Sequence, residues 1–240
     1  MTQHHSALAH HFDTLEQQRE TATIGMWAFL ITEVMLFGGL FVGYVVYRSG
    51  YPAAFVAGSE HLNLVLGTIN TVVLLCSSLT VALAVHAAET GKPRQIVPLL
   101  ALTIVLGLTF LGIKGVEYSE KFIKCWTPGT VECMVPGQNF QWQPAGQAEE
   151  PVTASAPVTP KVVTPEERRY QIFFGFYFTA TGLHAIHMIV GTGVIAWLLR
   201  RSARGDFSPT YYTPLEIGGL YWHLVDIVWV FLFPLFYLIH

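Results

Sequence analysis

The chain has 240 residues, of which 52% are hydrophobic and only 12% are charged, and its mean hydropathy is +0.45. A soluble domain carries about 25% charged residues, so this composition indicates a chain whose solvent is lipid. The net charge of −3, from 13 basic and 16 acidic residues, provides no basic surface and argues against a nucleic-acid partner.

The elements predicted in chain order are a polar tail and five membrane-spanning helices. Residues 1–23 are polar and are expected to lie in the cytoplasm. Five apolar segments are then long enough to cross about 30 Å of hydrocarbon, which takes about 20 helical residues. They run near 24–47, 62–87, 95–118, 170–199 and 215–239. The predicted fold is an all-α membrane bundle, with three helices in 24–118 and two in 170–240.

A different kind of sequence separates the third and fourth spans. Residues 119–169 contain seven of the 13 prolines and few apolar side chains, which is typical of an extramembrane loop. Cys125 and Cys133 lie in it. An oxidising compartment would favour a disulfide between them, and two free thiols are the alternative.

The basic residues of the short loops predict the orientation. One short loop carries Lys92 and Arg94, and the other carries Arg200, Arg201 and Arg204. Because basic residues favour the cytoplasmic side, both loops and the amino terminus are expected inside the cell. The loop 119–169 and the carboxyl terminus are then expected in the periplasm.

Polar residues within the spans are candidate functional residues, because an ionisable side chain at the bilayer centre costs at least about 2.5–3.5 kcal/mol. Glu33 lies about ten residues into the first span. It can be a proton-exchanging or lipid-contacting carboxyl and also a neutral acid bonded to a neighbouring helix, since the two interpretations are compatible. The fourth-span face with His184 and His187 is its best candidate partner.

Small and polar residues recur at helical spacing on three spans, which is typical of faces through which membrane helices pack. These faces comprise Asn63, Gly67 and Asn70 on the second span, Tyr177, Ala180, His184, His187 and Gly191 on the fourth, and Glu216, Gly219, His223 and Asp226 on the fifth. For the histidines, hydrogen bonding is favoured over metal ligation. On the third span, Lys114 and Glu117 can pair at i,i+3, and we expect them to anchor the helix at the outer interface.

Four segments of the chain resemble one known family, cytochrome c oxidase subunit III. In order, they are GMWAFLITEVMLFGGLF, GIKGVEYSEKF, GLHAIHMIVG and YWHLVDIVWVFLFPLFYL. The resemblance implies that Glu33 occupies the position of the family's intramembrane carboxylate, which reacts with carbodiimides. Helix-packing or lipid-associated positions are implied for His184, His187, Glu216, His223 and Asp226. The long family form has seven helices, so this chain resembles the five-helix bacterial form.

What the resemblance implies is a non-catalytic accessory subunit of a haem–copper terminal oxidase in the bacterial inner membrane. Such a subunit packs on subunit I, with subunit II also in the complex, and the complex can join a larger respiratory supercomplex. It holds phospholipids and supports proton uptake and stability during turnover. Haem and copper belong to the partner subunits, and this chain would bind no metal or other cofactor.

Three alternatives remain open from the sequence. The nearest is subunit III of a quinol oxidase, or the related accessory protein of nitric oxide reductase, because these share the motifs. A stand-alone ion transporter would use Glu33, Asp226 and the histidines as a relay, but the chain has no inverted repeat. A haem-bearing subunit would use His184, His187 or His223 as axial ligands, and an absorption spectrum would reveal it.

Overall fold

The computed structural model describes residues 12–123 and 165–239, with side chains for 12–121 and 171–239. The described residues form six helices. They are α1 (Leu15–Gly50), α2 (Pro52–Ser59), α3 (Leu64–Glu89), α4 (Pro93–Ile123), α5 (Pro165–Ala203) and α6 (Thr213–Tyr237). Five of them, all except α2, are long and apolar enough to cross a membrane. The prediction of a five-helix, all-α membrane protein is therefore confirmed.

The long helices extend beyond the apolar segments that predicted them. Helix α1 already begins at Leu15, where the Thr14 side chain accepts a hydrogen bond from the backbone N–H of Gln17. A cap of this kind satisfies one of the free N–H groups of the first turn. At the start of α3 the Asn63 side chain does the same for Val65 and Leu66. The predicted polar position Asn63 is thus a helix cap.

Helices α3, α4, α5 and α6 form the central bundle, in which α3 packs on α4 and α6, and α5 packs on the same two helices. Helix α1 lies outside this ring against α5 and α6. Most of its surface is uncovered within the described chain, including Trp27, Val34 and Met35, which are all more than half exposed. Such side chains are suited to contact with lipid or with another membrane subunit.

Small residues let a large tryptophan fill the middle of the bundle. Trp222 is fully buried and donates a hydrogen bond from Nε1 to Oγ of Ser77, 3.0 Å away. A Cβ atom at Gly107 would lie 2.9 Å from the Trp222 ring, and one at Gly191 would lie 3.1 Å from it. The glycine predicted on the fourth-span packing face therefore serves close approach between helices.

The short helix α2 has no counterpart among the predicted elements. Pro52 stands in its first turn, where a missing N–H costs nothing. Phe55 is completely buried and contacts the rings of Tyr44 and Phe173. The hydroxyl of Ser59 donates to the carbonyl of Ile239, 2.8 Å away. Helix α2 thus closes the end of the bundle where α1 and α6 terminate.

Two predicted features lie outside the described residues. They are the disulfide between Cys125 and Cys133 and most of the proline-rich loop. Both stay predictions.

Candidate functional site

A buried ion pair lies near the carboxyl end of α4. Nζ of Lys114 is 2.8 Å from Oε2 of Glu117, and the two side chains are only 6% and 3% exposed. The i,i+3 pairing predicted from the sequence is therefore present. The expected role as an interfacial anchor is wrong, because both side chains point into the bundle.

Two tyrosines from other helices complete this site. The hydroxyls of Tyr177 on α5 and Tyr237 on α6 donate to Oε1 of Glu117, at 2.9 and 2.7 Å. Nζ of Lys114 donates to the Tyr237 hydroxyl at 2.5 Å and lies 4.6 Å from the centroid of the Trp229 ring. The carboxylate and the ammonium are thus surrounded by hydrogen bonds and aromatic faces. The site joins the third, fourth and fifth spans.

Glu33 on α1 meets His187 on α5. Nε2 of His187 lies 2.9 Å from Oε2 of Glu33, with side chains 14% and 13% exposed. Nδ1 of the same ring lies 2.8 Å from the carbonyl oxygen of Leu183. The sequence predicted a partner for Glu33 on this face of the fourth span, and the structure identifies it as His187.

The chemistry of this contact follows from the Leu183 carbonyl. A carbonyl oxygen only accepts, so Nδ1 of His187 must carry a proton. Nε2 then either accepts the proton of a neutral Glu33 carboxyl or, as imidazolium, donates to a carboxylate. In both states Glu33 and His187 hold one proton between them. The pair therefore shares this proton at the seam between α1 and the bundle.

His184, one turn before His187, has a different environment. It is 1% exposed, and among the described residues neither ring nitrogen has a hydrogen-bond partner. Its ring centroid lies 5.5 Å from that of Phe110 and 5.2 Å from that of Trp229. In this structure the side chain packs between aromatic rings, so its contacts are those of a core residue.

His223 and Asp226 of α6 lie at the seam with α3. Nδ1 of His223 is 2.6 Å from Oγ of Ser78. Asp226 is 3% exposed, and neither of its carboxyl oxygens is in hydrogen-bonding geometry with a described group. Glu216, the fourth polar residue of this helix face, is separate from them. Its Oε2 lies 3.4 Å from Nη2 of Arg19 on α1.

The polar residues chosen from the sequence therefore form several small sites. Among the described residues, the pairs of them that contact one another across helices include Glu33 with His187, and Glu117 with Tyr177. The sequence analysis missed Tyr237 and Trp229, which complete the Lys114 site. Span order could have indicated Tyr237, because the third and fifth spans run in the same direction and Lys114 and Tyr237 both lie near their carboxyl ends. In residues 12–123 and 165–239, no three His, Cys, Asp or Glu side chains are grouped to hold a metal ion.

Comparison with known proteins assigns the family. The family model described as cytochrome c oxidase subunit III matches residues 4–126 and 169–240. The chain belongs to the cytochrome c oxidase subunit III family. All five spans lie within the matched segments. The unmatched internal residues, 127–168, make up most of the proline-rich loop.

Individual subunit III sequences give the same assignment. Cytochrome c oxidase subunit 3 of the bacterium Corynebacterium diphtheriae is 28% identical over 219 residues, covering 90% of this chain and 87% of the relative. The subunit 3 of Cyprinus carpio is 29% identical over 223 residues, covering 89% of this chain and 67% of the relative. The chain is therefore a component of an oxidase complex, and it is a multi-pass membrane protein.

Proposed function

We propose that the chain is the accessory subunit III of a haem–copper terminal oxidase in a bacterial cytoplasmic membrane. In this role it packs against subunits I and II, holds phospholipids and supports proton uptake and stability during turnover, while haem and copper reside in its partners. The family match over both membrane halves of the chain carries the proposal.

The Glu33–His187 pair supports the part of the proposal that concerns protons. It lies at the edge of the bundle, where each side chain keeps a small exposed fraction. A carboxyl and an imidazole that share one proton can exchange it with groups on a neighbouring subunit. The pair is therefore our candidate proton-exchanging site on this chain. His184, Glu216, His223 and Asp226 are assigned to helix packing and lipid-associated contacts.

A groove between α1, α5 and α6 supports the part that concerns lipids. Its volume is about 410 Å³, which is in the range of small-molecule sites. Its wall is largely apolar and includes Met26, Val194, Trp197, Ile217 and Tyr221. An acyl chain fits this lining chemically.

Removal of the subunit tests the proposed function. An oxidase stripped of this chain is expected to keep its full haem and copper absorption spectra, because the proposal places both cofactors in the partner subunits. It is also expected to turn over, but to lose activity faster during turnover and at high pH. The measurement is activity against number of turnovers, with reconstituted complex as control. Loss of haem in proportion to the subunit would overturn the accessory role.

The proposed orientation is tested separately. We expect a single cysteine placed near Lys92, in the turn between α3 and α4, to react with a membrane-impermeant thiol reagent only from the cytoplasmic side. A cysteine placed in 127–168 should react from the periplasmic side. These variants need a background in which Cys76, Cys125 and Cys133 are replaced by serine. Labelling at Lys92 from the periplasm would invert the proposed topology.

A further inference from the structure

A polar pair reaches the membrane-facing surface at the seam between α3 and α6. His223 is half-buried, and its Nδ1 is bonded to the Ser78 hydroxyl. The neighbouring residues Ile227 and Val230 are 53% and 42% exposed. We refer to Ser78, His223, Ile227 and Val230 as the His223 strip. The strip is apolar except for this one pair.

The strip is left open by the way the helices pack. Helix α6 contacts α3 on one side and α1 on another, while its interior side faces α5. Gly219 faces Val81 and Val85 of α3, and Phe231 contacts Phe41 of α1. The stretch of α6 between these two contacts carries His223, and no other described helix covers it.

The depth of the pair determines what can contact it. His223 is the eleventh residue of Thr213–Tyr237, and Ser78 is the fifteenth of Leu64–Glu89. At about 1.5 Å per residue, each lies about 15 Å or more from both ends of its helix. Lipid headgroups and bulk water lie near those ends. Acyl chains, which surround the middle of a helix, form no hydrogen bonds.

One ring nitrogen of His223 lacks a hydrogen-bond partner among the residues that the structure describes. The Ser78 hydroxyl occupies Nδ1, and no described residue hydrogen-bonds to Nε2. Asp226, one turn further along α6, is buried without a hydrogen bond to its carboxyl oxygens within the described chain. A half-buried imidazole with an unpaired ring nitrogen is unfavourable in hydrocarbon, and polar groups at this depth normally face protein.

We infer that the His223 strip docks a transmembrane helix of another oxidase subunit. That helix brings a side-chain hydroxyl, carboxamide or carboxyl group into hydrogen-bonding distance of Nε2 of His223. The inference rests on the proposed function, because it requires a complex with other membrane subunits. It adds the face of the chain that makes the contact and the chemistry of the partner.

The first test uses the intact oxidase, purified in mild detergent through a tag on this chain. His223→Phe retains a ring but loses both hydrogen bonds, so the yield of co-purified haem-bearing subunit should fall about three- to tenfold. His223→Gln retains a donor and an acceptor, and should keep the yield within about twofold of the wild type. His86→Phe, the same change at an exposed position near the end of α3, should have no effect. An unchanged yield for His223→Phe would overturn the inference.

The second test identifies the occupant directly and does not depend on the folding of the His223 variants. A photo-crosslinking amino acid at position 227 should form adducts with a different oxidase subunit. The matched control is position 108 on α4, where Leu108 is 54% exposed, and its yield of adducts with that subunit should be lower. Lipid adducts alone at 227, or crosslinks between two copies of this chain, would overturn the inference. If the unmodified chain retrieves no haem-bearing subunit, the proposed function itself fails.

Discussion

Replacing Glu117 with leucine is expected to destabilise the bundle by about 3–5 kcal/mol, because it leaves the Lys114 ammonium buried without its counter-charge. Lys114 is held among Tyr237, Tyr177 and Trp229, and its side chain is only 6% exposed. Lys114→Met should cost less than Glu117→Leu, since Tyr177 and Tyr237 still donate to the remaining carboxyl. The free energy of unfolding in mixed micelles measures both effects.

The double variant separates charge from packing. Lys114→Leu combined with Glu117→Leu removes both charges, so it should be more stable than Glu117→Leu alone, since a buried pair can be replaced by apolar groups at little net cost. Glu120→Leu is the matched control, because Glu120 lies on the same helix but is exposed, and it should change stability by no more than about 0.5 kcal/mol. Equal stability for Glu117→Leu and the control would show that the pair contributes nothing.

For Glu33, the expected result is selective modification and a graded response to substitution. We predict that the Glu33 carboxyl carries the shared proton and donates it in a hydrogen bond to Nε2 of His187. A bilayer-soluble carbodiimide, which attacks protonated carboxyls, should therefore label Glu33 and leave Glu117 unlabelled, because Glu117 is paired with Lys114. Peptide mapping by mass spectrometry measures the two sites in one sample.

Substitutions at Glu33 test the same contact by stability. Glu33→Gln keeps a donor to Nε2 and should leave assembly nearly intact. Glu33→Ala leaves Nε2 of His187 without a partner and should lower the free energy of unfolding by about 1–3 kcal/mol. Thr32→Ala is the control, since the Thr32 hydroxyl donates to the carbonyl of Phe29 within α1 and, in the described part of the chain, makes no hydrogen bond to another helix. The hypothesis would be contradicted by infrared difference spectra in which Glu33 gives a carboxylate band near neutral pH.

The sequence predicted the spans well because their signal is one-dimensional. A segment of about 20 successive apolar residues crosses the bilayer as a helix, because a helix satisfies all of its backbone N–H and C=O groups internally. The number of spans therefore followed from counting such segments. The Glu33–His187 contact could also be predicted from the sequence, since an isolated acid in an apolar span needs a partner and few candidate residues existed. Helix α2 was missed because eight residues with little polarity give no periodic signal.

The Lys114 site was misjudged for a different reason. Spacing along α4 predicted the bond to Glu117, but the rotation of α4 decides whether the pair faces lipid headgroups or the bundle interior. That rotation follows from the packing of α4 against α3 and α5. Similarly, the periodic stripes on α5 and α6 identified polar helix faces but not the residues that they contact. In the structure Glu216 pairs with Arg19, and His223 contacts Ser78.

The arrangement of the Lys114 site has a consequence for biosynthesis. Membrane helices are made in chain order, so α4 enters the bilayer before α5 and α6 exist. Lys114 and Glu117 lie three residues apart on one helix, so they can neutralise each other at that stage, which lowers the insertion cost of two separate charges. Tyr177 arrives with the next span and Tyr237 with the last one. The finished cluster therefore forms only after the whole bundle has been inserted, and its formation marks a correctly assembled chain.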